Sequence, residues 1–328
     1  MSVTQELPPK RKINLKVAAK IPSGLTGGHR LCRGCGAGVI ARQATIAAAM
    51  LDKPYVVVQA TGCLEVATTI YPYTAWKVPW LHNAFENAGA TASGAEAAYT
   101  AMVKKGRMKE KPNIIVFGGD GGTYDIGLQS LSGAIERGHD FLYICYDNGA
   151  YMNTGIQRSG GTPKGARTTT SPGGRVIPGK PQYKKDLAQI MWAHNIPVFT
   201  ASMAYPQDLM QKVQRGLEFE GPAFMLTDSP CTLGWKIPDN YGYEVSKLAV
   251  ETAVFPLYTA YKDEWELSAA SRKIALQPHL KKPVEEWLKA QGWFKHLFVP
   301  KKKEDVIQSI QEWVDERWER LLSRANNV

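Results

Sequence analysis

Four of the five cysteines stand where a metal centre could be bound. Cys32 and Cys35 have C-x-x-C spacing in "HRLCRGCGAG", Cys63 comes shortly after the apolar run "YVVVQA", and Cys231 lies in "DSPCTLGW". Cys145 differs from them, because it stands inside the apolar run "FLYICYD" and is expected to be a buried core residue. The other four predict either a structural zinc site or a [4Fe–4S] cluster.

The spacing of these four cysteines favours the cluster over zinc. Zinc ribbons usually draw their ligands from two local C-x-x-C pairs, whereas Cys63 and Cys231 are 168 residues apart. Disulfides are not expected, because the lysine-rich start "PPKRKINLKVAAK" lacks an apolar secretion segment and predicts a cytoplasmic protein. No apolar run reaches the length that a membrane helix needs, so no membrane partner is predicted.

A second candidate site lies in "FGGDGGTYDIGLQS". Gly119, Gly121 and Gly122 surround Asp120 and allow a ligand to approach the backbone closely. The segment continues into a predicted helix, whose first N–H groups favour a phosphate. Asn148 follows the next predicted strand and is expected beside Asp120. A carboxylate and an amide oxygen, completed by diphosphate oxygens and water, suit Mg²⁺.

The elements that must position these residues alternate between strands and helices. Apolar runs predict strands at 55–60, 113–119, 141–147 and 223–228, and segments of helical character are found at 36–50, 94–106, 127–138 and 205–219. This alternation predicts an α/β fold, a mostly parallel sheet covered by helices on both faces in three layers. The four candidate loops each follow one of the four strands, so we expect them at the carboxyl edge of the sheet.

Composition divides the chain into three parts. Residues 1–25 are expected to form a basic arm, residues 26–255 the main domain, and residues 256–328 an extension that packs on this domain or on a partner subunit. The formal net charge is +10, but the basic residues are scattered rather than gathered into a stripe. Nucleic acid is therefore not predicted as a partner, and acidic subunits or an acidic electron carrier are favoured.

Several segments allow a family to be recognised. "GDG" followed at this distance by an asparagine resembles the thiamine-diphosphate motif, in which Mg²⁺ is held by residues equivalent to Asp120, Asn148 and the carbonyl of Ala150. "GHRLCRGCGAG", "ATGCLEVATTIYPYTAW" and "DNGAYMNTGIQRSG" resemble the β subunits of pyruvate:ferredoxin oxidoreductases, the pyruvate synthases, within the 2-oxoacid:ferredoxin oxidoreductase family. The resemblance covers residues 25 to 328 and implies a thiamine-diphosphate-binding fold.

The resemblance also implies roles for individual residues. Cys32, Cys35, Cys63 and Cys231 are the implied ligands of one [4Fe–4S] cluster close to the thiamine diphosphate. Asn153, in "YMNTG", is implied to point towards the reacting centre of the cofactor, with Thr154 beside it.

The implied activity is the oxidative decarboxylation of pyruvate to acetyl-CoA, with coenzyme A as co-substrate. The implied partners are an α subunit that carries the pyrimidine-binding domain and the activating glutamate, a γ subunit, and a ferredoxin-like δ subunit that passes electrons to ferredoxin. This chain is therefore expected to be inactive alone.

Two alternatives remain open. Pyruvate-specific members often carry a bulkier or acidic residue where this chain has Gly149, which could enlarge the substrate pocket for an aryl 2-oxoacid and make the reaction phenylglyoxylate to benzoyl-CoA. The alternative of another class is a non-redox thiamine-diphosphate decarboxylase subunit whose cysteines hold structural zinc.

Overall fold

A computed structural model describes residues 5–328 and shows an eight-stranded sheet at the centre of the molecule. In chain order the strands are Tyr55–Ala60 (β1), Trp80–Asn83 (β2), Asn113–Gly119 (β3), Leu142–Asp147 (β4), Ala150–Tyr151 (β5), Gln157–Arg158 (β6), Val198–Ser202 (β7), Ala223–Asp228 (β8), Tyr258–Tyr261 (β9) and Glu264–Leu267 (β10). Strands β5 and β6 form a separate two-stranded ribbon, and the other eight form the central sheet. The sheet order is β10-β9-β7-β8-β4-β3-β1-β2. Within this sheet, as described over residues 5–328, only the β7–β9 and β9–β10 pairs are antiparallel, so the predicted mostly parallel sheet is confirmed.

Helices cover both faces of this sheet. They are Leu15–Ala18 (α1), Gly36–Ala49 (α2), Cys63–Thr68 (α3), Ala88–Lys104 (α4), Leu128–Glu136 (α5), Leu187–Trp192 (α6), Pro206–Glu218 (α7), Gly242–Glu251 (α8), Ala269–Leu276 (α9), Val284–Lys289 (α10) and Glu304–Leu322 (α11), with a π-helix at Gly121–Ile126 and 3₁₀ turns at Pro278–Leu280 and Gly292–Leu297. Within residues 5–328, none of these helices has both the length and the apolar character needed to cross a membrane.

The central strands are apolar on both sides, and each side packs into its own core. Val57 and Ile115 lie in one core with α2 and α7, whereas their neighbours Val56 and Ile114 lie in the other with α4 and α5. Successive side chains of a strand point to opposite faces, so a continuous apolar run fills two cores at once. The result is the three-layer arrangement that the sequence predicts.

The two ends of the chain are more closely built into the fold than their composition indicates. Ile13, Ala18 and Leu25 are buried in the core that contains α2 and α7, although residues 1–25 were expected to form an arm outside the core. Their burial is possible because the basic residues between them, Lys16 and Lys20, are exposed, and Arg11 just before them pairs with Glu218. Residues 1–4 of this predicted arm lie outside the described part of the chain.

The segment predicted as a C-terminal extension, residues 256–328, supplies β9 and β10 to the sheet. It shares one core with the preceding domain, because Trp265 and Trp293 belong to the same cluster as strand residues Val56 and Val116. Trp293 is 1% exposed and stacks on Trp235, with 5.6 Å between ring centroids.

Helix α4 contains two glycines in contrasting surroundings, which gives a test of its packing. A Cβ on Gly89 would lie 2.8 Å from backbone atoms of Ser130 and Leu131, whereas a Cβ on exposed Gly94 would contact nothing within 4 Å. Gly89→Ala is therefore expected to destabilise the protein by roughly 1–3 kcal/mol, because the backbone of α5 must move. Gly94→Ala is expected to stabilise it by up to about 1 kcal/mol, because alanine favours the helix.

Chemical unfolding of the two variants beside the unsubstituted protein measures both effects. If Gly89→Ala were as stable as Gly94→Ala, the close packing of α4 on α5 would be contradicted.

Candidate functional site

Four neighbouring strands bring the predicted site residues to one edge of the sheet. β8, β4, β3 and β1 are adjacent and parallel, so the loops after them share the carboxyl edge. The cleft at this edge, about 320 Å³ in volume, is lined by eight of the predicted residues, namely Cys63, Gly119, Asp120, Gly121, Asn148, Ala150, Asn153 and Thr154. Gly122, Cys32, Cys35 and Cys231 lie outside this lining.

The three predicted Mg²⁺ ligands converge in this cleft. One heavy atom of the Asn148 side-chain amide lies 2.9 Å from Asp120 Oδ1 and 2.8 Å from the carbonyl oxygen of Ala150. With the amide nitrogen in that position, the side chain donates to both oxygens. With the amide oxygen there, three oxygens lie close together, which is the donor chemistry that Mg²⁺ prefers.

Burial disfavours the charged form of the Asp120 carboxylate. Burial, together with the negative charge of Asp147, raises the pKa of Asp120 well above its ordinary value, against the opposing effect of a hydrogen bond from Ser159. Asp120 is 1% exposed. A cation bound at this carboxylate would offset both effects, so the residues fit a divalent metal ion.

The glycines around Asp120 permit close packing over the cleft. A Cβ on Gly121 would lie 2.4 Å from the Tyr151 ring, and a Cβ on Gly122 would lie 2.9 Å from the carbonyl oxygen of Phe85. The rings of Phe85 and Tyr151 stack with 5.5 Å between centroids. Gly121 and Gly122 begin the π-helix at Gly121–Ile126 and are required for these contacts.

The loop containing Cys32 and Cys35 is docked on the loop containing Cys231. Gly36 N donates to Pro230 O at 3.0 Å, and Thr232 Oγ1 donates to Arg33 O at 3.0 Å. Gly34 has a φ of +71°, and a Cβ there would lie 1.9 Å from Asp239 O. Glycine is therefore needed between the two cysteines.

The four candidate thiols are near enough to influence one another electrostatically. Burial, followed by the charges of Cys231 and Cys35, raises the pKa of Cys63 to about 12, although a hydrogen bond with the Asn153 side chain opposes the rise. Burial also raises the pKa of Cys231 to about 11. A thiol in such surroundings is inert unless a bound cation stabilises its thiolate.

Two further observations bear on the cysteines. Cys145 is buried in β4, so its predicted core position is confirmed. Within residues 5–328, no three or more His, Cys, Asp or Glu side chains form a ready-made metal-binding group. The assignment of the other four cysteines as ligands therefore stays a prediction.

Gly149 does not face the cleft, which corrects an expectation from the sequence. It has a φ of +79°, and a Cβ there would lie 2.8 Å from Cη2 of Trp293 and 3.4 Å from Cδ of Pro163. The glycine is explained by its left-handed backbone and the packing of Trp293. It therefore does not enlarge a substrate pocket in this cleft.

Several buried polar residues behind the cleft are not among the residues predicted from the sequence. Asp147 accepts hydrogen bonds from Tyr124 Oη at 2.6 Å and Gly149 N at 3.0 Å, and it pairs with Lys184. Lys180 is only 2% exposed and donates to two backbone carbonyls. The glycine pair in "RSGGT" was the available indication that the backbone comes close to another group there.

A larger cavity of about 970 Å³ borders Gly149 and contains none of the predicted site residues. Its walls include Lys184, Asp228, Trp235 and Trp293. Burial raises the pKa of Asp228 to about 7, against the opposing effects of Ser246 and Lys184. The smaller cleft carries the convergent donor set, so it is the candidate site.

A protein-family match identifies the class of protein to which this chain belongs. Residues 60–226 match the family described as thiamine pyrophosphate enzyme, C-terminal TPP binding domain. The fold is also similar to that of 2-oxoglutarate:ferredoxin oxidoreductase from Magnetococcus marinus, with a TM-score of 0.54 and 20% identity over 80% of this chain and 88% of that one. The chain is thus a member of the thiamine-diphosphate enzymes.

Relatives define the family more narrowly. The pyruvate synthase subunits PorB of Thermotoga maritima and Methanocaldococcus jannaschii are 50% and 51% identical to this chain, over 95% and 88% of it and 96% and 93% of their own lengths. The ketoisovalerate oxidoreductase subunit VorB of Pyrococcus furiosus is 43% identical over 95% of this chain and 97% of its own length. The chain belongs to the β subunits of the 2-oxoacid:ferredoxin oxidoreductase family.

Proposed function

We propose that this chain is the β subunit of a CoA-dependent pyruvate:ferredoxin oxidoreductase. In that reaction the bond between the carboxylate and the keto carbon of pyruvate breaks, carbon dioxide leaves, the acetyl group passes to coenzyme A, and the electrons pass to ferredoxin. The single observation that carries the proposal is the identity of about half of all residues with pyruvate synthase subunits along nearly the whole chain.

The cleft supports a role in holding thiamine diphosphate and Mg²⁺. Asp120, Asn148 and the carbonyl of Ala150 would hold the metal ion. Gly119 and Gly121 line the cleft and would let the diphosphate approach the backbone, with Gly122 following them in the chain. Thiamine diphosphate, when bound, supplies the chemistry that removes carbon dioxide from a 2-oxoacid. Residues of this chain would orient it and partly shield it from water.

Cys32, Cys35, Cys63 and Cys231 would hold one [4Fe–4S] cluster. Cys63 lines the cleft itself, whereas the other three lie outside its lining, so a cluster bound by Cys63 would adjoin the cofactor. The hydrogen bond between Asn153 and Cys63 supports a position for Asn153 between the two groups. Thr154 also lines the cleft, where its hydroxyl donates to the Gln157 side chain. We propose that Asn153 points towards the reacting centre and that Thr154 lies beside it.

The chain would depend on partner subunits. Among the described residues that line the cleft, Asp120 is the only acidic one, so no carboxylate remains to activate the aminopyrimidine ring. An α subunit would supply that glutamate, and γ and ferredoxin-like δ subunits would complete the path to coenzyme A and ferredoxin. The net charge of +10 favours an acidic electron acceptor.

A branched-chain 2-oxoacid is the second candidate substrate, and the VorB relative favours it. No structural observation favours phenylglyoxylate, since Gly149 faces Trp293 rather than the cleft. Pyruvate is placed first because the pyruvate synthase subunits are 50% and 51% identical to this chain, whereas the VorB subunit is 43% identical.

Substrate preference tests the proposed function. The complex that co-purifies with this chain is assayed anaerobically for viologen reduction with coenzyme A and pyruvate, 2-oxoisovalerate or phenylglyoxylate. We expect kcat/KM for pyruvate to exceed the others by about tenfold or more, the discrimination that a few methyl groups allow. A preference for either competitor would replace pyruvate as the substrate.

Asp120→Ala is expected to release both Mg²⁺ and thiamine diphosphate, because it removes the one carboxylate of the donor set. Metal analysis and thiochrome fluorescence of the purified complex measure the two contents. Asp140→Ala is the control, because Asp140 lies before β4, at the other end of that strand. Full thiamine content in the Asp120 variant would exclude the proposed role of Asp120.

Cys63→Ala is expected to lower the iron content by about four atoms per chain and to abolish viologen reduction. Thiamine diphosphate content should stay close to that of the unsubstituted complex. Cys145→Ala is the matched control, since it removes a buried core cysteine and should retain the iron. One zinc per chain with no iron difference between the variants would instead favour the non-redox decarboxylase.

A further inference from the structure

We propose that the buried Lys180, acting through Ser159 and Thr162, is a positioning residue that holds the two halves of the Mg²⁺ and diphosphate site in register. The proposal rests on the proposed function of the cleft, and it concerns residues that do not line that cleft. The two halves are the loop after β3, which carries Asp120, and the turn after β4, which carries Asn148 and Ala150.

Ser159 connects this group to the first half. Its hydroxyl donates to Asp120 Oδ2 and accepts from Gly161 N at 3.1 Å. Ser159 is 1% exposed, so no water competes for this contact. Because Oδ2 is occupied, Oδ1 is the oxygen left to face the Asn148 amide.

Thr162 connects the same group to the second half. Its hydroxyl donates to the carbonyl oxygen of Gly149, within the turn, and accepts from Ser159 N at 2.9 Å. Thr162 is fully buried. Ser159 and Thr162 therefore bridge the two ligand-bearing segments and are hydrogen-bonded to each other.

Lys180 fixes this bridge from behind. Its Nζ donates to Thr162 O at 2.7 Å and to Ser159 O at 3.3 Å. Its own backbone is held as well, because Lys180 N donates to Ala166 O at 3.1 Å and Gly165 N donates to Lys180 O at 2.8 Å. Burial, together with the charges of Arg158 and Lys184, lowers the pKa of Lys180 to about 8.

A buried lysine that meets only carbonyl groups is costly, since an apolar residue of the same length would avoid desolvating a charge. The hydrogen bonds of Lys180 explain why a lysine is present in spite of this cost. One ammonium group directs two N–H bonds to the two residues whose hydroxyls orient the metal ligands. The bridge also passes very close to the carboxylates, because a Cβ on Gly161 would lie 3.2 Å from Asp120 Oδ2 and 3.1 Å from Asp147 Oδ1.

The experiment measures the Mg²⁺ concentration that gives half-maximal binding of thiamine diphosphate to the whole complex, followed by protein fluorescence. Lys180→Met removes the ammonium group and keeps the length of the side chain. It is expected to raise this concentration by about fivefold, the effect of losing a hydrogen bond that orients a ligand. Thr162→Val is expected to have a similar effect, and Thr162→Ser, which keeps the hydroxyl, should stay within about twofold.

Lys212→Met is the control for a purely structural role. Lys212 is also buried and donates to the carbonyl oxygen of Thr200 at 2.7 Å, but it belongs to α7 and pairs with Asp208. This variant should lower the unfolding temperature without changing the Mg²⁺ requirement.

Two outcomes would overturn the inference. The first is a Lys180→Met complex that is less stable but has an unchanged Mg²⁺ requirement. The second is an equal change in the Mg²⁺ requirement in Thr162→Val and Thr162→Ser. If the Lys180→Met complex does not assemble, these two threonine variants alone test the inference. Should Asp120→Ala also leave the Mg²⁺ requirement unchanged, the metal assignment itself would fail rather than the role of Lys180.

Discussion

The site depends on the adjacency of four parallel strands. Because β8, β4, β3 and β1 run side by side in one direction, residues separated by up to 168 positions meet at a single edge. The strands are buried on both faces, so the sheet cannot slip by one residue without exchanging its two cores. The register of the sheet therefore also sets the distances between the loops that carry Cys63, Asp120, Asn148 and Cys231.

This edge concentrates buried charge. Asp120, Asp147 and Asp228 are each at most 5% exposed, and Lys184 pairs directly with Asp147. Such a group is stable only when each carboxylate is paired, hydrogen-bonded or protonated. Tyr124, Ser159 and Lys184 meet part of that need, and the proposed metal ion would meet the rest at Asp120.

Much of the fold was predictable, because buried parallel strands appear in sequence as continuous apolar runs. β1, β3 and β8 begin and end where those runs do. β2 was missed because it is a partly exposed edge strand, "WLHN". In the site, a local motif identified Asp120 and Asn148, whereas Lys180 was missed since a lysine normally indicates an exposed position. The direction of Gly149 could not be predicted, because it depends on its φ and on Trp293, which is distant in sequence.

The Asn148 amide has a consequence for how the site would be loaded. Its heavy atom between Asp120 Oδ1 and Ala150 O can be a donor without a cation and an acceptor with one. The exchange needs only a half-turn about a single side-chain torsion. A half-turn of one amide orders no backbone, so it would add little conformational entropy cost to the binding of a cation.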